Sequence, residues 1–147
     1  MKFDSKTGGL MATHINHNFD PEKGWYEETV QKIAYENGNA VILEKENTGE
    51  YLKRHTEGTW NRKSFEISGK ETATANNIKN GLNHCAGKPG TEIAALFFPN
   101  NNFDIQNFER GFSMYSGLEK IGAKGYRKFE QIICIDASGI LYKKSHQ

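Results

Sequence analysis

Apolar residues recur at two kinds of spacing along the chain, and the spacing separates helices from strands. Three stretches repeat apolar residues every three or four positions, as one face of a helix does. The predicted helices begin after Asp20, Thr74 and Asp104, whose side chains can cap a helix N-terminus. Other stretches alternate or are continuously apolar, which is typical of strands. The predicted strands are residues 40–46, 50–57, 63–68, 92–98, 131–136 and 140–142.

The order of these elements predicts an α/β (α+β) fold. We expect an αβββαβ-type mixed sheet flanked by helices, with an added helix and a C-terminal hairpin. Strand 63–68 should lie beside strand 92–98, with the helix that follows Thr74 packed on both. Residues 1–19 lack periodicity and predict an irregular lead-in to a single domain at 20–147. Residues 143–146, after the last strand, are expected to be a frayed tail.

Composition narrows the functional classes. The chain has 147 residues, with 19 Lys and Arg against 18 Asp and Glu, which argues against a simple basic coat for nucleic acid. Its cysteines, Cys85 and Cys134, lie far apart in apolar registers and predict buried free thiols. No run is long enough to span a membrane, and no signal peptide is visible. We therefore expect a soluble cytoplasmic protein with no membrane partner.

Candidate chemistry concentrates in the hairpin predicted around residues 55–68. Alternation places Glu66 on the face opposite Phe65 and Ile67, which predicts an open face for this carboxylate. Glu57 ends the preceding strand across a predicted turn at 58–62, so the two carboxylates should approach each other. Such a pair either raises one pKa or binds a divalent cation. The alternative is two solvated glutamates balanced by neighbouring basic residues.

A family resemblance adds to this interpretation. Residues 56–86, TEGTWNRKSFEISGKETATANNIKNGLNHCA, resemble the C-terminal tRNase domain of contact-dependent growth-inhibition toxins. Related modules occur in polymorphic toxins, including phage head-associated ones. The carboxylate, short loop and following acidic strand are similar to the PD-(D/E)xK nucleases. The resemblance implies a nuclease-like domain: an endoribonuclease toxin that cleaves RNA, above all tRNA, in a target cell's cytoplasm, with a cognate immunity protein as partner.

The chain departs from the PD-(D/E)xK pattern at one catalytic position. Ser68 stands where the lysine of Glu-x-Lys is expected. Lys70, two residues on, is the predicted replacement for that cation. A metal-free ribonuclease could instead draw its base, acid and cation from His55, Glu57, Glu66 and Lys70. The barnase/EndoU/colicin/RelE-like nucleases of polymorphic toxins work in this way. The cofactor is therefore predicted to be either none or a divalent metal such as Mg²⁺, held by Glu57 and Glu66.

The predicted substrate-binding residues surround these carboxylates. Trp60, in the predicted turn, could stack an unpaired base or cover the edge of the core. Asn77 and Lys79 lie at the start of the following helix, whose N-terminal N–H groups suit a phosphate. Lys63 and Ser68 complete the predicted substrate-binding set. The alternative function is a non-catalytic binding module that retains a nuclease-like scaffold.

Overall fold

The computed structural model describes residues 1–13, 24–44, 57–88, 90–120 and 126–145. These residues form three helices and one eight-stranded sheet. The helices are α1 (Gly24–Glu36), α2 (Ala75–Ala86) and α3 (Ile105–Lys120). The strands are β1 (Lys2–Phe3), β2 (Leu10–Thr13), β3 (Ala40–Leu43), β4 (Gly58–Trp60), β5 (Lys63–Gly69), β6 (Ile93–Phe98), β7 (Gln131–Asp136) and β8 (Gly139–Ser145).

The strands lie side by side in their order along the chain, in a mixed sheet. The pairs β2–β3, β5–β6 and β6–β7 are parallel, and a helix connects the two strands of each pair. The other pairs are antiparallel. This architecture confirms the predicted α+β class and the C-terminal hairpin.

Helices cover both faces of the sheet, and alternation along β6 shows how. Ile93, Ala95 and Phe97 belong to a core cluster shared with α1. Ala94, Leu96 and Phe98 belong to a second cluster shared with α2 and α3. All six residues are buried, so β6 is apolar on both faces, as its continuous apolar sequence predicted.

Helix α2 forms where the sequence predicted it. The Thr74 side chain accepts a hydrogen bond from the backbone N–H of Asn77 and caps the helix. Its apolar stripe packs on β5 and β6, which are adjacent as expected. Gly81 permits this close packing, because a Cβ there would lie 3.0 Å from a methyl carbon of Leu96.

The hairpin turn is tighter than the sequence indicated. The predicted turn at 58–62 contains β4, and only Asn61 and Arg62 turn the chain. Both have positive φ, 50° and 72°, as a two-residue type I′ turn requires. Gly58 is the first residue of β4, and only glycine fits there because a Cβ would overlap the carbonyl oxygen of Ile42. A glycine that signals a turn in sequence is therefore a site of close strand approach.

Both chain ends differ from the prediction. Residues 1–19 were expected to be irregular, yet β2 pairs with β3 and β1 pairs with β2. The predicted tail also differs, since β8 continues through Lys143 and Lys144 to Ser145. The predicted strand at 50–57 lies outside the described residues except for Glu57. None of the described helices is long and apolar enough to cross a membrane.

Candidate functional site

The β4–β5 hairpin brings two buried carboxylates together. Gly58 pairs with Phe65, so Glu57 and Glu66 lie opposite each other on neighbouring strands. The Glu57 backbone N–H donates to Oε1 of Glu66 over 3.1 Å. Both residues are buried, Glu66 to 1% exposure. The predicted approach of the two carboxylates agrees with this register, but the predicted open face is wrong because α2 covers it.

The second oxygen of Glu66 contacts basic side chains from α2 and the loop after it. Oε2 lies 3.2 Å from Nε2 of His84 and 3.8 Å from Nζ of Lys88. His84 lies in the last turn of α2, and Lys88 directly follows the C-cap residue Gly87. The His84 side chain is 51% exposed, whereas that of Glu66 is 2% exposed. The cluster therefore runs from a buried carboxylate to a half-exposed imidazole.

This arrangement does not fit the divalent metal considered for Glu57 and Glu66. A bound cation needs carboxylate oxygens directed at it, with further ligands around it. In Glu66 one oxygen faces a backbone N–H and the other faces His84 and Lys88. Within the described part of the chain, no three His, Cys, Asp or Glu side chains are grouped to hold a metal ion. Both oxygens of Glu66 therefore face groups of the protein itself.

Cys85 lies beside Glu66 in the core, and its thiol is unreactive. Its Sγ is 3.6 Å from the backbone oxygen of Glu66. Burial raises the pKa of the Cys85 thiol well above its usual value, and the Glu66 carboxylate adds to this effect. Cys134 is also buried, and burial raises the pKa of its thiol too. The prediction of two buried free thiols is confirmed, and neither suits nucleophilic catalysis at neutral pH.

Trp60 cannot stack an exposed base in this structure. It is the last residue of β4 and is 1% exposed. Its ring packs edge-on against Phe65, with ring centroids 5.8 Å apart, inside the hydrophobic core between α1 and the sheet. Of the two roles considered from the sequence, only the core role agrees with this placement. The shorter turn is the reason, since it draws Trp60 into the strand.

The lysines and the serine of the predicted site do not reach Glu66. Lys63 is exposed and forms an ion pair with Glu130 at 2.5 Å, a contact that raises the pKa of Lys63. Ser68 is buried beneath Gly81 of α2. Lys70 follows the end of β5, where its backbone N–H donates to Phe97. Among the described residues, the Lys70 side chain makes no ion pair with Glu66.

The predicted phosphate site at the start of α2 is separate from the carboxylates. The Asn77 side-chain amide donates to the backbone and hydroxyl oxygens of Thr72, so it serves the helix cap. Lys79 is half-buried on the next turn. Both residues precede His84 by at least a helical turn; Asn77 lies about 10 Å from it along the helix axis. Glu66 faces the C-terminal half of α2 because the helix runs antiparallel to β5.

Sequence reasoning missed the residues that contact Glu66. His55, predicted as a catalytic residue, lies outside the described residues. Neither His84 nor Lys88 is among the catalytic and substrate-binding residues predicted from the sequence. The available signal was their spacing of four residues beside Cys85, which lies on the buried stripe of α2.

Comparison with protein-family models, with curated proteins and with solved structures finds no match to this chain.

Proposed function

We propose that this chain is an endoribonuclease domain that cleaves RNA by proton transfer, without a metal ion. The observation that carries the proposal is the contact between the buried Glu66 carboxylate and the half-exposed His84 imidazole. A carboxylate that holds one ring nitrogen fixes the tautomer of a histidine and leaves the other nitrogen to take a proton. His84 is the residue of this pair that a substrate can touch.

In the proposed reaction RNA supplies its own nucleophile. His84 takes the proton of a 2′-hydroxyl, and the 2′-oxygen attacks the adjacent phosphorus. The bond from phosphorus to the 5′-oxygen breaks, and that oxygen takes a proton from solvent. The products are a 2′,3′-cyclic phosphate and a 5′-hydroxyl. Lys88 provides positive charge for the phosphate oxygens, and Glu66 acts as a positioning residue.

The substrate class and the biological setting come from the sequence. The resemblance of residues 56–86 to the tRNase domains of contact-dependent growth-inhibition toxins supports tRNA as the preferred RNA. It also supports a toxin role in the cytoplasm of a target cell, with a cognate immunity protein. In that setting metal independence would let the enzyme act regardless of the divalent-ion content of its target.

A second candidate function is a non-catalytic binding module. The observation that favours it is that both oxygens of Glu66 already have partners inside the protein. A buried carboxylate with such partners can have a purely structural role, in which it attaches α2 to β5. In that case His84 and Lys88 are structural, and the module binds its partner through another surface.

Cleavage of bulk tRNA in the presence of a chelator distinguishes the two functions. The catalytic proposal predicts fragments that end in 2′,3′-cyclic phosphate, in equal yield with chelator and with Mg²⁺. A DNA oligonucleotide of matching sequence should stay intact because it lacks the 2′-hydroxyl. If the protein leaves tRNA and unstructured RNA intact under all these conditions, the binding-module function replaces the catalytic one.

A further inference from the structure

A cavity of about 500 Å³ lies between the end of α3, the segment before β7 and the strand β8. Four of its lining residues are basic: Arg127, Lys128, Lys143 and Lys144. Of the two on β8, Lys144 directs its side chain to the α3 face that holds the pocket, whereas Lys143 pairs with Ile133 and faces α1. Among the described residues, no Asp or Glu lines it. The whole chain has a net charge of only +1, so this basic pocket is a local concentration of positive charge.

Arg127 is held in the pocket by its backbone. The Tyr115 hydroxyl donates to the Arg127 carbonyl oxygen at 2.5 Å and accepts from its N–H at 2.9 Å. The Nε atom of Arg127 is buried and has no hydrogen-bond acceptor among the described residues. A buried guanidinium N–H without an acceptor carries a desolvation cost, which an anionic ligand would remove.

Aromatic rings line the same pocket. Tyr126 packs against Tyr115 with ring centroids 5.1 Å apart and is only partly buried. The ammonium group of Lys144 lies 4.7 Å from the ring centroid of Phe112. Partly exposed rings interleaved with cations suit a ligand that has both a planar apolar group and a negative charge.

The pocket and the Glu66–His84 pair lie near the same end of the sheet and on the same face. Helices α2 and α3 pack against each other on this face, and their C-terminal ends precede the starts of β6 and β7. Cys85 adjoins Glu66, and Cys85 and Tyr115 of the pocket wall are buried in the same apolar cluster under α2 and α3. A single RNA strand bound on this face could therefore contact both the basic pocket and His84.

We infer that the basic pocket binds one nucleotide of a single-stranded RNA segment, its flanking phosphates at Arg127, Lys128 and Lys144 and its base against Tyr126. The inference rests on the proposed RNA cleavage and deepens it. It names unpaired RNA as the substrate class and places a nucleotide that flanks the cleaved bond. Single-stranded regions are the parts of an RNA whose bases are available for stacking.

Fluorescence anisotropy with a labelled single-stranded RNA of about ten nucleotides tests this inference. The protein carries His84→Gln so that the RNA stays intact during titration. Adding Lys128→Glu and Lys144→Glu should weaken binding at least tenfold. It should also reduce the slope of log affinity against log salt by about 1.4, as expected for two lost phosphate contacts. Lys32→Glu with Lys2→Glu, at exposed positions on α1 and β1, is the matched control and should change binding less than twofold.

The neutral variant Tyr126→Leu separates base stacking from charge. It should weaken RNA binding about fivefold or more and leave the salt slope unchanged. Equal affinity for heparin and RNA, with no effect of Tyr126→Leu, would overturn the inference and leave a general polyanion surface. Binding of uridine monophosphate as tight as that of the RNA would point to a free-nucleotide site and would also overturn it.

These outcomes separate the inference from the proposed cleavage. If the pocket variants lose RNA binding but the wild-type protein cleaves no RNA, the pocket stands and the catalytic proposal fails. If the wild-type protein cleaves RNA and the pocket variants bind as tightly as their parent, the pocket inference fails alone.

Discussion

The Oε2 atom of Glu66 lies 3.2 Å from Nε2 of His84, and this contact joins the middle of β5 to the last turn of α2. One partner is buried and the other is half exposed. A contact of this kind can stabilise the packing of the helix, orient the imidazole, or do both. Stability and activity measurements on the two residues separate these contributions.

Replacing Glu66 with alanine should destabilise the fold. The change removes the buried carboxylate that the Glu57 N–H and the His84 ring contact, and leaves the Glu57 N–H with only the Phe65 carbonyl oxygen. We expect the free energy of unfolding to fall by about 1–3 kcal/mol, measured by urea denaturation at neutral pH. Glu92→Ala, at an exposed glutamate beside β5, is the control for losing a carboxylate. A loss below about 0.5 kcal/mol, the range typical of surface substitutions, would show that the buried contacts contribute little.

The two tryptophans should respond differently to shortening. Trp60→Phe removes part of a side chain that is 1% exposed and should cost about 1–3 kcal/mol. Trp25→Phe, at a position that is 49% exposed, should change stability by about 0.5 kcal/mol or less. Thermal melts followed by circular dichroism check both values. Unchanged stability with weakened RNA binding in Trp60→Phe would restore the base-stacking role that the sequence suggested.

Two glycines of α3 provide a matched test of helix packing. A Cβ at Gly111 would lie 2.6 Å from the Ala75 carbonyl oxygen, so Gly111→Ala should push α2 and α3 apart and cost about 1–3 kcal/mol. A Cβ at Gly117 meets nothing within 4 Å, and Gly117→Ala should stabilise the helix by about 0.5–1 kcal/mol. Chemical denaturation of both variants gives the signs, and the same sign for both would contradict the observed packing.

Stability should fall in alkali because of Tyr115. Burial raises the pKa of Tyr115 to about 12 from an ordinary value of 10. Tyr115 therefore contributes its stability below pH 10 and loses it as the pH rises from 10 to 12, where the unfolded chain is ionised first. At pH 11, midway between these two pKa values, we expect the loss to be about 1 kcal/mol. Denaturation of wild type and Tyr115→Phe at neutral pH and near pH 11 should show their stability difference shrinking, and a constant difference would exclude this cause.

Local signals account for the parts of the fold that the sequence predicted. The Thr74 cap and the apolar stripe of α2 lie within about four helical turns of sequence, and the structure confirms both. The continuous apolar run of β6 correctly indicated a strand covered on both faces. These features depend on neighbouring residues, so a single sequence contains them.

The surroundings of Glu66 could not be predicted in the same way, because they depend on contacts between residues that are far apart in the sequence. Alternation along β5 correctly separated Glu66 from Phe65, but it could not show that α2 covers the Glu66 face. Gly58 resembled a turn residue because glycine is typical of turns. Its actual role, the close approach to Ile42, arises only when β3 and β4 pair. Lys143 and Lys144 looked like a tail, although pairing with β7 extends β8 through both.

The most direct test of catalysis by His84 is the single-turnover rate of RNA cleavage by wild type and His84→Gln, measured in chelator on one labelled oligonucleotide. Asn83→Gln, at the exposed neighbouring position on α2, is the control and should cleave at the wild-type rate. We expect cleavage by the wild type and a loss of about 100-fold or more in His84→Gln, the range typical of general acid–base groups. Equal rates for wild type and His84→Gln, or a wild type that cleaves no faster than buffer, would contradict this expectation.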